Sequence, residues 1–294
     1  MKRVKTAVAG VLVMASLGGI SLAQTAAPAP VVKTWADSVT VKGDLRYRYE
    51  TIDDDSKTDS KKQTYTRQRD RIRARVALEG KCNDNTKVSV ALTTSEGYNM
   101  QGDQVSGNQT LTDGGTKKPF FIDYAYLDYN FFGDNPNEVH ALAGKMKNPF
   151  ITMNDDLIWD SDYTPEGLAV KSQCGGAFAT FIVNGAYAWL KERESTDDTT
   201  MLAGQAALKL QFVPEVALTL GGSYYGLDTV KGQDVIDYKS TPGSYGNSTQ
   251  NGSVSGSTTN KAWKYDYKPV VYFASLDLFL MGQPISLFTQ RLSN

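Results

Sequence analysis

The chain is poor in the residues that soluble enzymes and metal proteins depend on. It has one histidine, His140, and two cysteines, Cys82 and Cys174, among 294 residues. Acyl hydrolysis needs a nucleophile, a histidine and a carboxylate or amide within mutual reach. His140 instead stands beside a short turn, where an ordinary strand-end role is sufficient. No zinc-ligand spacing and no phosphate-cradling glycine loop occur, and the glycines scatter through turns and loops. The sequence thus calls for no catalytic residue, no metal and no cofactor. The pair Asp155-Asp156 offers oxygen ligands of the kind calcium takes, a minor reading beside a solvated acidic loop. The net charge of −1 carries no basic surplus of the sort nucleic acid selects.

Long apolar runs are also missing. The basic start Met1-Lys-Arg-Val-Lys5, the apolar centre from Ala7 to Leu17 and the small residues Ser21-Leu-Ala23 form an export signal, with cleavage expected after Ala23. Beyond it no stretch of ~18 apolar residues exists, which excludes a helical membrane span. Residues 24–37, rich in Ala, Pro and Thr, read as an extended linker, and residues 38–294 as one domain. Cys82 and Cys174 fall in short turns with several strands between them. Neighbouring strands lie ~4.8 Å apart, so that gap exceeds the reach of a disulfide and both are expected to be free thiols.

What the chain does have is two-sided alternation. Residues 67–78 put Arg69, Arg71, Arg73 and Arg75 on one face and Ile72, Ala74, Val76 and Leu78 on the other. A strand produces that segregation, whereas a helix would scatter the arginines. Residues 39–50 alternate likewise, with Val39, Val41, Leu45, Tyr47 and Tyr49 against Thr40, Lys42, Asp44, Arg46, Arg48 and Glu50. Further strands are predicted over 86–94, 120–131, 138–147, 166–172, 177–190, 200–212, 216–225 and 264–279, with part of an eleventh over 284–290. The connections after the first, third, fifth, seventh and ninth strands are long, and those between are short. Residues 243–260, almost wholly Ser, Gly, Asn and Thr, cannot bury enough apolar area to order themselves.

Sorting of loop length by parity points to an antiparallel transmembrane β-barrel with long external loops and short periplasmic turns. Nothing helical is available to cover ten apolar faces. Lipid covers them, and closure removes the sheet edges that hydrocarbon does not tolerate. The mean hydropathy of −0.37 fits strands that are apolar on one side only. An arginine on the lipid side costs roughly 2–4 kcal/mol at the bilayer midplane, so four in a row belong on a wet inner wall.

Several stretches carry a family likeness: Gly43-Asp-Leu-Arg-Tyr-Arg-Tyr-Glu50, Arg69-Asp-Arg-Ile-Arg-Ala-Arg-Val-Ala-Leu78, Ala125-Tyr-Leu-Asp-Tyr129, Gly144-Lys-Met-Lys-Asn-Pro-Phe150 and Trp159-Asp-Ser-Asp-Tyr-Thr-Pro-Glu-Gly167. In these the chain resembles the putative porins of Gram-negative outer membranes. The resemblance implies a water-filled barrel of about sixteen strands, homotrimeric when full length, that passes small hydrophilic solutes and ions through outer-membrane lipid. It also implies a third external loop folded inward, which would be residues 148–165. On that reading Arg46, Arg48, Arg69, Arg71, Arg73, Arg75 and Lys145 line the pore, and Asp155, Asp156, Asp160 and Asp162 form the acidic side of a constriction. The wall cations favour anions, and the loop acids offset them. The chain departs from the pattern in two ways: it supplies ten strands plus part of an eleventh, and it ends Arg291-Leu-Ser-Asn294 without a terminal aromatic strand. A barrel lacking its C-terminal part is therefore expected. A barrel with a structural or adhesive role is the alternative, with a barrel enzyme behind it.

Overall fold

Period-two alternation decides almost every element. The computed structural model describes residues 5–9, 38–58, 64–98, 101–104, 106–133, 135–152, 159–160, 162–194, 196–234, 247–251, 261–280 and 283–293. The linker at residues 24–37 and the cleavage point after Ala23 lie outside them. Among the described residues there is no α-helix, only a 3-10 turn at Asp113–Gly115 and antiparallel strands. The chain divides into two units, residues 1–80 with 90–123, and residues 81–89 with 124–294.

The first unit holds β1 (Lys5–Ala9), β2 (Val39–Thr58), β3 (Thr64–Lys81) and residues 90–94 of β4 (Thr86–Thr94), in the order β1-β2-β3-β4. The signal-like β1 pairs along β2 from Lys5↔Asp53 to Ala9↔Tyr49. A small hairpin follows, β5 (Gly97–Tyr98) with β6 (Gln101–Gly102), and then β7 (Gln109–Thr110), which pairs with β3. The connection expected over residues 51–66 shrinks to 59–63 because β2 and β3 keep pairing to Thr58↔Thr64. The polar residues there continue the ladder, which needs only backbone groups.

The second unit is a meander in the order β8-β9-β10-β11-β12-β13-β16-β17. These strands are β8 (Phe120–Asn130), β9 (Glu138–Lys145), β10 (Glu166–Gly175), β11 (Ala179–Lys191), β12 (Thr199–Val213), β13 (Val216–Asp228), β16 (Val270–Leu280) and β17 (Gln283–Ser293). The first four residues of β8 belong to the other unit. One end carries the turns 131–137, 176–178 and 214–215, and the other the connections 146–165, 192–198 and 229–269. The parity expected from the sequence therefore holds in this unit. In β12, Met201, Ala203, Gln205 and Ala207 are buried while Leu202, Gly204 and Ala206 are exposed. Period two is thus written directly into burial.

Two expectations about the C-terminal part change. The strand predicted over 264–279 starts only at Val270. The segment 243–260 is not wholly without order, since β14 (Thr249–Asn251) pairs with β15 (Lys261–Trp263). That order is lent from outside the Ser/Gly run: Lys264 N donates to Ser248 O at 3.2 Å, and Trp263 meets Tyr267 edge-on at 6.3 Å. Residues 241–246 and 252–260 lie outside the described residues. The eleventh strand extends over Gln283–Ser293, pairing with β16 from Val270↔Ser293 to Leu280↔Gln283. Within neither unit, among the described residues, does the strand order return on itself. Cys82 and Cys174 are free and exposed.

Candidate functional site

The arginine face of the first unit is built by register. In β2 and β3, Asp44 lies opposite Arg75, Arg46 opposite Arg73, Arg48 opposite Arg71 and Glu50 opposite Arg69. Paired residues share a face, so six guanidinium groups and two carboxylates form one patch. The other face carries Val41, Leu45, Tyr47, Tyr49, Val76 and Leu78, all exposed.

Carboxylates within the unit neutralise part of that patch. Glu50, only 5% exposed, sits among Arg48, Arg69 and Arg71, contacting the first two closely and Arg71 at 3.8 Å. Arg71 also reaches Glu96 at 3.4 Å. Arg73 grips one oxygen of Asp44 from Nη2 at 3.0 Å and from Nε at 3.2 Å. Arg75 meets Asp123 at 3.8 Å. Arg46 donates to the neutral Asn108 Oδ1 at 2.6 Å. Asp44, Glu50, Glu96 and Asp123 thus set carboxylates among the six arginines of the row. Glu50 and Asp44 were legible beforehand, since both fall in phase with Arg46 and Arg48. Glu96 and Asn108 sit in an aperiodic connection, where no pattern points to them.

Glu96 stands outside the strands. Burial works against its charge, but the Thr110 hydroxyl and backbone N–H bond it and Arg71 lies beside it, so its carboxyl is held below the ordinary glutamate value.

In the second unit the described parts of the segment 148–165 pack on the buried face of the meander. That face is lined by small or flexible residues, Ala169, Ala186, Ala188, Ala203 and Met201. The segment supplies the bulk: Phe150 meets Tyr225 edge-on at 5.4 Å, and Trp159 meets Tyr225 at 5.5 Å and stacks on Tyr163 at 4.8 Å. Gln205 clamps its backbone, accepting from Ile151 N at 2.7 Å and donating to Ile151 O at 3.0 Å. Gly144, at φ +122, leads the chain out of β9 into the buried Met146. Burial pushes the Tyr163 hydroxyl up to about 12, with help from Glu166.

Of the acids expected at a constriction, Asp155 and Asp156 lie outside the described residues. Asp160 is exposed, and its Oδ1 accepts from Asp162 N at 2.8 Å, closing a local turn. Lys145 ends β9 in this unit, bound to Glu166 at 3.0 Å and to Thr164 O at 3.1 Å. By alternation it shares the side of Ala141 and Ala143, opposite Leu142. His140 bonds Asp128 through Nδ1 at 2.6 Å and lies 3.9 Å from Glu138. The described residues contain no group of three or more His, Cys, Asp or Glu that could hold a metal ion. Nor do they contain a helix long and apolar enough to cross a membrane, a statement that leaves crossing by strands untouched.

A family model described as "Putative porin" matches residues 53–260. The chain belongs to that family. Among curated proteins none matches it. The match takes in β3 with its five arginines, the segment 148–165 and most of the second unit. Membership carries a porin-like role and an outer-membrane location, and favours a channel over an enzyme.

Proposed function

We propose that this porin-family chain forms a water-filled outer-membrane channel for passive diffusion of small hydrophilic solutes and ions. The observation that carries the reading is the two-faced strand. Apolar side chains are exposed along one side, Val41, Leu45, Val76 and Leu78 in the first unit and Leu168, Val170, Phe181, Val183, Leu202 and Leu220 in the second. The opposite sides hold ion pairs or the packed segment 148–165. Lipid is the solvent that rewards such a surface, and each arginine turned to it would cost roughly 2–4 kcal/mol.

In the finer reading the strands close into a barrel, about sixteen-stranded and trimeric, after export and cleavage behind Ala23. Arg46, Arg48, Arg69, Arg71, Arg73 and Arg75 line water. Segment 148–165 folds inward, and its acids Asp155, Asp156, Asp160 and Asp162 supply the opposite pole. Packing of Phe150, Ile151 and Trp159 on the buried face supports the inward fold. The row of six arginines supports anion preference, because rings of charge set selectivity in pores. The test is current across a planar bilayer containing the refolded chain under a salt gradient. Discrete channels are expected, with a reversal potential on the anion side. Arg73→Gln is expected to move it toward cations. Absence of channels from the folded protein would overturn the reading.

A further inference from the structure

The connection between β4 and β8 does something its composition does not announce. Residues 106–108 lie over the arginine face of the first unit. Asn108 takes Arg46 on its side chain and Arg71 on its carbonyl, at 2.6 and 3.2 Å. Gly107 O accepts from Thr94 Oγ1 at 2.9 Å, and Ser106 O from Ser95 Oγ at 2.9 Å. Gly107 is pressed so close that a Cβ there would stand 2.5 Å from Thr93 Oγ1 and 3.0 Å from Arg73 Cδ. The chain then drops to the edge of β3 beyond the end of β4: Thr110 pairs with Arg71, and Leu111 N donates to Asp70 O at 2.8 Å. Glu96 ties the crossing down from the other side, binding Thr110 and Arg71. Thr94, Ser95, Asn108, Thr110 and Arg71 are all buried. A surface loop of Gly, Asn, Gln and Thr has no reason to bury itself so, because polar backbone under cover must be bonded throughout.

We infer that residues 106–110 form a strap that narrows the channel at the arginine wall, with Asn108 and Glu96 its specificity-determining residues. The inference rests on the channel reading. Glu96 offsets the charge of Arg71, and Asn108 occupies Arg46 without neutralising it. Together they set how much guanidinium a passing solute meets. The strap tunes passage of small anions by covering Arg46 and Arg71 in the arginine row.

Single-channel recording in a planar bilayer tests this. Glu96→Gln and Gly107→Val are each expected to raise conductance, and Glu96→Gln also to shift the reversal potential further toward anions. A third variant needs no loosening of the strap. Ser106→Cys, in a chain with Cys82→Ser and Cys174→Ser, is treated with a charged methanethiosulfonate while current is recorded. A stepwise fall in current on labelling is expected. Wild-type channels whose conductance and selectivity ignore both strap variants, with no current change on labelling at residue 106, overturn the strap and leave the channel standing. A folded wild-type chain that gives no channels removes the channel reading and the strap together.

Discussion

The two units solve one problem in opposite ways. Both are made of strands with an exposed apolar side, and both must find something to set against the other side. The first unit sets charge against charge: Glu50 is enclosed by three arginines, and a short polar strap lies over the row. The second uses volume. Alanines at 169, 186, 188 and 203 leave a hollow, and Phe150 and Trp159 from one long connection fill it. The first arrangement is held by a few interactions that each matter greatly when broken, whereas the second spreads its stability over many contacts.

That contrast can be broken at named positions. The largest effect is expected in the first unit. Glu50→Gln removes the buried carboxylate that buried Arg71 and half-buried Arg48 and Arg69 share, and removing one partner of a buried pair costs about 3–5 kcal/mol. Urea unfolding in detergent micelles should show it as a large fall in the midpoint. In the second unit, Ala203→Phe forces a ring into the hollow that Phe150 fills. Overpacking of this kind costs about 1–3 kcal/mol, and emission from Trp159 should shift to the red as the segment is displaced.

Alkali sharpens the same point. Tyr163 is held neutral by burial, with its hydroxyl raised from 10.0 to about 12. The unfolded chain loses this proton first, so the contribution is present below pH 10 and disappears as pH rises toward 12. The segment 148–165 should loosen over that window, read as tyrosinate absorbance appearing together with a change in Trp159 emission. Smallest of all is Lys42→Ala. Its pair with Glu79 is at 2.6 Å but largely exposed, and such surface pairs are worth about 0–1 kcal/mol. The unfolding midpoint should barely move.

The strand faces were legible in the sequence because period two is a local property. Arg69 to Arg75 against Ile72 to Leu78 needs no knowledge of the rest of the chain. The partners Asp44 and Glu50 were readable for the same reason. Glu96 and Asn108 were not, because a loop has no period and its long-range bonds depend on where two strands end. The hollow in the second unit left a faint trace. Ala186 and Ala188 stand two apart in β11, as Met201 and Ala203 do in β12, a pattern easily passed over as filler rather than as room for Phe150 and Trp159. Strand ends were the least readable. Residues 264–268 alternate charged side chains with Tyr265 and Tyr267 as a strand does, yet β16 begins only where Val270 finds Tyr224 and Ser293.

The central claim is that one side of these strands meets lipid and the other meets water. Nitroxide labels at Leu78 and at Arg75, in separate single-cysteine chains reconstituted in bilayers, test it most directly. The account predicts that oxygen dissolved in the lipid relaxes the label at 78 while a water-soluble nickel complex relaxes the label at 75. Equal access of the nickel complex to both positions would contradict it.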